Sequence, residues 1–188
     1  MSGNHPQILN MDKLDLKLKK LSSSARAKLP DAAEAGGRVI EGYAKINANE
    51  KFSSHATNAL ANSITVEVQR NGAGVTALVG PTVEYGRIQE LGGTVHPTRA
   101  KFLAIPATEM ARKIGSPRSY PGKLRFVGDD NSGALVSESG ETVYVLRKQV
   151  TLPAKPYLRP ALDEHKPEIV DAVKAVIGNG ILEVVHGG

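Results

Sequence analysis

The sequence predicts an α+β fold, with an antiparallel β-sheet packed against N-terminal and C-terminal helices and a β-rich central insertion. Three observations lead there. A helical stripe follows Pro30, the run ITVEVQRNGAGVTALVG alternates and turns like a hairpin, and a second helical face appears after Leu162. Short strand-like runs separated by turn clusters fill the space between hairpin and closing helix. At 188 residues the chain suits one domain. Its expected bounds are 30–178, with 94–150 as an insertion or arm. A tail and short helix over 1–29 precede it, and a tail over 179–188 follows.

The first ten residues read as a loose tail. Over 11–21, Leu14, Leu18 and Leu21 fall at helical spacing while Leu14, Leu16 and Leu18 alternate like a strand; the Leu and Lys content favours helix. Ser22, Ser23 and Ser24 then offer N-cap oxygens or a hinge. Pro30 opens a longer helix, with Asp31 and Glu34 placed near the positive end of its dipole. Its expected stripe is Ala32, Ala35 or Gly36, Val39, Tyr43 and Ile46. Gly36 and Gly37 cost that helix roughly 1 kcal/mol each relative to alanine, which suggests a neighbouring backbone approaching closely.

A polar linker over 47–58 leads to the hairpin. Ile64, Val66 and Val68 alternate with Thr65, Glu67 and Gln69, and NGAG supplies residues that tolerate positive φ. The run VEYGRIQELGG suits one or two helical turns ended by Gly92 and Gly93. KFLAIP reads as a buried strand ending at Pro106, ATEMARKIG as a brief helix and SPRSYPGK as loop. LRFVG, ALVSE and ETVYVLRKQV read as the strands of a meander. Pro153, Pro156 and Pro160 predict an extended stretch. Leu162, Ile169, Val173 and Val176 mark the closing helical face, with Pro167 delaying or kinking the helix and Gly178 ending it.

Composition narrows the function. There is no cysteine, which removes disulfides, thiolate metal sites and a cysteine nucleophile together. The N-terminal residues lack the plan of a secretory signal, and no apolar run approaches the roughly 20 residues of a membrane span, so a soluble intracellular protein without membrane contact is expected. The net charge is +5, and seven basic residues between Arg99 and Arg125 face one acidic residue, Glu109. Such a run is either a solvated loop or a surface for nucleic acid or an acidic partner. Phe102 and Phe126, close to this run, read as core residues rather than stacking platforms.

Catalytic patterns are not found. His5, His55, His96, His165 and His186 show no metal-ligand spacing. No G-x-S-x-G elbow occurs, and Gly122-Lys123 is followed by Leu124, which lacks the hydroxyl of a phosphate-binding loop. Glu84 and Glu90 lie on opposing faces of a short helix, and either pairs with Arg87 more readily than both act as acid and base. No enzyme activity, cofactor or metal is expected.

Two stretches carry a resemblance. VEYGRIQELGG over 83–93 resembles the Y-a-x-x-x-E-F-G signature of the tail-completion, or head–tail connector, proteins of long-tailed bacteriophages. PAKPYLRPAL over 153–162 is similar to that family's a-R-P-F-L-R-P-A segment. A Leu-x-x-Ser-Ile element (Leu60, Ser63, Ile64) and a V-G-P strand exit (Val79, Gly80, Pro81) precede them in the family's order. KFLAIPATEMARK is similar to the virion-morphogenesis proteins of Mu-like phages. The likeness runs over about 31–178; Thr57-Asn58 stands where the family commonly has Thr-Gly, and Leu91 where it has an aromatic.

The resemblance implies a non-enzymatic virion protein, made in the host bacterial cytoplasm, that forms a ring, usually sixfold, at the head–tail junction. Its implied partners are further copies of itself, the portal or adaptor side of the neck, and tail tube or tail terminator proteins. Non-specific contact with DNA in the channel is a further expectation. The candidate assembly-interface residues are Tyr85, Arg87, Glu90, Arg112, Lys113, Arg118, Pro156, Tyr157 and Arg159. On this reading Tyr85 and Leu91 anchor their turn to the sheet, Gly92-Gly93 breaks it, and the basic arm projects away. The alternative function is that of a small basic nucleic-acid-binding protein.

Overall fold

The computed structural model describes residues 11–52, 58–72 and 74–186. The expected N-terminal tail, His5, His55 and residues 53–57 of the expected linker lie outside them. The chain forms two compact units, one built from Met1–Glu90 and Pro156–Gly188, the other from Leu91–Lys155. The fold class is α+β, with antiparallel sheets and with helices at both ends of the chain. No helix among the described residues is long and apolar enough to cross a membrane.

The first unit is organised by α2 (Leu29–Phe52), preceded by α1 (Met11–Ala27). Ser22–Ser24 are neither cap nor hinge, because α1 continues through them and Ser24 Oγ donates to the Gly180 carbonyl at 2.9 Å. The boundary falls at Lys28, where Pro30 lacks the N–H that would carry α1 onward. The buried stripe of α2 is Ala32, Gly36, Gly37, Glu41, Ala44 and Ala48, rotated from the expected one; Ile46 is exposed. Asn47–Phe52, expected as linker, extend the helix by using this alanine stripe against the core.

The glycine pair in α2 serves two neighbours, both presenting side chains rather than the expected backbone. A Cβ on Gly36 would lie 3.0 Å from Val173 Cγ2, and one on Gly37 would lie 2.6 Å from Val66 Cγ1. Helix α7 (Lys166–His186) therefore packs on one side of α2 and the hairpin on another. That hairpin, β1 (Ile64–Asn71) and β2 (Gly74–Pro81), is antiparallel with Ile64 opposite Pro81, and its turn uses Gly72 at φ 60°. A short α3 (Ala59–Ser63) feeds it. The core holds Ala44, Ala48, Leu60, Ala61, Ile64, Tyr157 and Ala161, four alanines with Leu60 and Ile64 around one large tyrosine.

After α4 (Gly86–Leu91), the second unit contains β3 (Gly93–Val95), β4 (Leu103–Pro106), α5 (Glu109–Ile114), a 3-10 turn at Pro117–Ser119, β5 (Arg125–Gly128), β6 (Ser132–Val136), β7 (Thr142–Arg147) and β8 (Val150–Leu152). The meander forms as expected, in a four-stranded antiparallel sheet ordered β4-β7-β6-β5, while β3 pairs with β8. Thr108 caps α5 through a bond from the Ala111 N–H. Ala111, Val143 and Tyr144 form the small core. Phe126 is not in it. Its strand is the sheet edge, all four β5 residues are exposed, and the ring stacks on Phe102 at 6.1 Å and lies over Gly133.

The return to the first unit runs through α6 (Leu158–Glu164) and α7. Pro160, expected in an extended stretch, sits in the first turn of α6, where a proline costs no intrahelical bond. Pro167 starts α7 late, after a break at His165. Gly178 does not end α7, and the expected tail from 179 is helix as far as His186, because Gly180 packs against Lys28 and accepts from Ser24.

Candidate assembly surface

The two signature stretches, far apart in sequence, meet in the first unit. The α6 helix begins with backbone N–H groups that have no partner within the helix. Glu90, on α4, supplies them: its carboxylate accepts from Tyr157 N at 2.6 Å, Leu158 N at 2.9 Å and Arg159 N at 3.0 Å. A negative charge there is also favoured by the helix dipole. From α2, Asn47 Nδ2 donates to the Tyr157 carbonyl at 3.1 Å and Lys51 Nζ donates to the Pro156 carbonyl.

Tyr157 is fully buried, and its hydroxyl donates to the Gly86 carbonyl at 3.2 Å. Burial, reinforced by the charge of Glu90 and by Tyr85, pushes its phenol up to about 12, so it remains a donor throughout the physiological range. Gly86 must be glycine for this to close. A Cβ there would lie 2.3 Å from Pro81 Cγ and 3.1 Å from the Tyr157 hydroxyl. The turn is thus anchored by Gly86, Glu90 and Tyr157. Tyr85 and Leu91, expected to anchor it, are 45% and 65% exposed.

Arg87 is exposed on α4, and Glu90 spends both carboxylate oxygens on α6 rather than on Arg87. Arg159 is exposed and pairs with Asp163 at 3.4 Å; Pro156 is half-buried. The other three candidates belong to the second unit. Arg112 and Lys113 are exposed in the last turn of α5, and Arg118 is exposed in the 3-10 turn. Lys113 meets Glu109 at 3.5 Å with both side chains largely in solvent, a pairing of little energetic weight. Lys101 meets Asp130 at 2.6 Å. Among the described residues the side chains of Arg112, Arg118, Lys123 and Arg125 make no ion pair.

The charge is partitioned between the units. Residues 91–155 carry ten Lys and Arg against five Asp and Glu, whereas the remainder carries fourteen of each. The entire +5 therefore resides in the second unit, and the first is balanced.

Sequence reasoning missed two features of the first unit. Helix α1 buries no residue, and Met11, Leu14 and Leu18, on one side of it by helical spacing, are each more than half exposed. The leucine spacing signalled a helix but not that its apolar side would be uncovered. A groove of about 190 Å³ is lined by Ala48, Phe52, Leu60, Ala61, Tyr85 and Gln89, among others. Its lining comes from three elements, so no local pattern announces it.

Residues 12–92, the stretch from α1 to α4, match the family model of HK97-gp10-like proteins, described as "Bacteriophage HK97-gp10, putative tail-component". The suspected likeness to a phage tail family is found again over that segment, and it is a likeness to a structural virion component. The second signature, PAKPYLRPAL, falls outside the match and is joined to it through Glu90. No curated protein and no solved structure is significantly similar to the chain.

Proposed function

We propose that this protein is a non-enzymatic structural component of a bacteriophage tail that forms a ring at the head–tail interface, completes the tail and joins it to the capsid connector. The observation that carries this reading is the match to a phage tail-component family across α1–α4. The tight junction of both signature stretches at Glu90 and Tyr157 supports it, since the elements sharing the likeness form one folded unit. The ring would be sixfold, with neighbours on the portal or adaptor side and on the side of the tail tube or tail terminator. The basic second unit would meet an acidic protein surface or the DNA in the channel. The protein would be made in the host cytoplasm and reside in the virion.

The deciding experiment is negative-stain electron microscopy of an induced lysate lacking only this gene. Filled heads and separate tails are expected, with joining restored by the protein; normally joined particles would overturn the reading. The confinement of all net charge to one unit favours a second reading, a basic nucleic-acid-binding protein. Steeply salt-dependent DNA affinity without ring formation on partner proteins would establish that alternative.

A further inference from the structure

Strand β5 forms one edge of the four-stranded sheet in the second unit, with Phe126 48% and Val127 44% exposed. The Asp129 N–H donates to the Ser132 carbonyl of β6 at 2.9 Å. Backbone groups alternate in direction along an antiparallel strand. Arg125 and Val127 therefore also turn theirs towards β6, and Phe126 and Gly128 turn theirs outward, where the sheet has no further strand. The opposite edge is blunted. There the Ala107 N–H donates to Val143, which leaves Ala104 and Pro106 facing outward, and proline has no N–H to offer. The charge along β5 indicates its occupant. Lys123 and Arg125 stand at its start and Asp129 and Asp130 just past its end, with Phe126, Val127 and Gly128 between. Such a run is complementary to itself when laid antiparallel. Among the described residues Lys123 and Arg125 form no ion pair; Glu138 lines the same shallow groove but pairs with neither. Asp130 is held by Lys101. Asp129 turns one carboxylate oxygen to the Asn131 and Ser132 N–H groups, and Lys148, the basic side chain acting on it, donates to Asn131.

We propose that β5 pairs with β5 of a second copy, antiparallel and centred on Val127, so that two four-stranded sheets become one. This register sets Phe126 opposite Gly128, bringing outward backbone groups against outward groups. It also sets Arg125 opposite Asp129 on the same face, once on each side of the twofold axis. The Phe126 ring then meets a glycine across the new pairing, as it already does within its own sheet, where a Cβ on Gly133 would lie 2.5 Å from the ring. The row Ile105, Val145, Ala134 and Val127 crosses one sheet in register and continues into the second copy. The contact uses the same patch on both copies, so it makes a twofold pair and does not itself close a ring. It stands independently of the head–tail reading.

The chain has no cysteine, so an introduced thiol reports its contact without background. In the proposed pairing Val127 faces its own copy in a non-hydrogen-bonded pair, where Cα atoms stand about 4.5 Å apart, within disulfide range. Full-length Val127→Cys, oxidised over a concentration series, is expected to form a covalent dimer several-fold faster than an exposed control in the first unit, Glu67→Cys. Sedimentation of the wild type should show a reversible dimer, and Arg125→Glu should raise its Kd about tenfold or more. Mixing Arg125→Glu with Asp129→Lys restores opposite charges at both contacts, so the mixture should dimerise at concentrations where neither variant does alone. A wild type that stays monomeric at every concentration would overturn the proposal. So would Val127→Cys coupling no faster than Glu67→Cys, or a dimer indifferent to Arg125→Glu. The Val127→Cys and Arg125→Glu readouts leave the Asp129 turn intact, so they decide the matter even if Asp129→Lys misfolds.

Discussion

Glu90 satisfies three N–H groups that would otherwise end α6 without partners. Glu90→Ala should therefore cost about 2 kcal/mol, the range for losing charge-assisted bonds to a helix start. Glu90→Gln keeps an acceptor oxygen but not the charge, and should cost about half as much. Urea denaturation of the three proteins checks this; equal stability of wild type and Glu90→Ala would contradict the clamp. The sequence allowed Glu90 to be singled out, but with the wrong partner. Arg87 lies one helical turn away and is what local spacing suggests, whereas the groups Glu90 binds are 67 to 69 residues distant. Tyr157 was likewise selected as an interface residue, and the structure puts it in the core, a distinction that residue type alone cannot make.

Among the elements, α2 carries one buried acid on its apolar stripe. Burial pushes the Glu41 carboxyl up, but bonds from Lys45 at 2.7 Å and Arg38 at 2.9 Å outweigh it and hold the group below its ordinary value of 4.5. A depressed carboxylate stabilises the fold above its unfolded pKa, and that contribution is lost as pH falls through the folded pKa. Chemical denaturation across pH should show stability falling below about pH 4.5, with Glu41→Gln flattening part of the fall. At neutral pH the variant should lose about 1 kcal/mol, a modest figure because Arg38 and Lys45 face solvent. An unchanged pH profile would remove Glu41 from the account. Strands were legible because alternation and glycine turns are local signals. Several helix ends were not: Ser22–Ser24 read as cap or hinge, the stretch from Asn47 as linker and Gly178 as a stop, yet α1, α2 and α7 run through them on tertiary contacts such as Ser24 to Gly180.

At the scale of the whole molecule, the first unit is interrupted by 65 residues between Glu90 and Pro156. Glu90 and Tyr157 stand in direct hydrogen-bond contact, so the first unit brings the two ends of that interruption together by itself. Replacing 92–154 with a linker of about four Gly and Ser residues should leave a cooperatively unfolding helical protein, since closing a short loop costs little. Thermal unfolding followed by circular dichroism checks this, and a chain without a cooperative transition would show that the core depends on the inserted unit. The truncated protein should also lose retention on heparin, because the removed segment carries the charge excess. The meander strands between the two signatures were legible from their turn clusters; the closed stem was not, since it depends on side chains that converge only after folding. A stem of this kind has a genealogical consequence. Whatever lies between its two ends can lengthen, shrink or be exchanged between lineages without the core having to be solved again, so related chains should diverge fastest there while keeping an acid at one end and a buried tyrosine at the other.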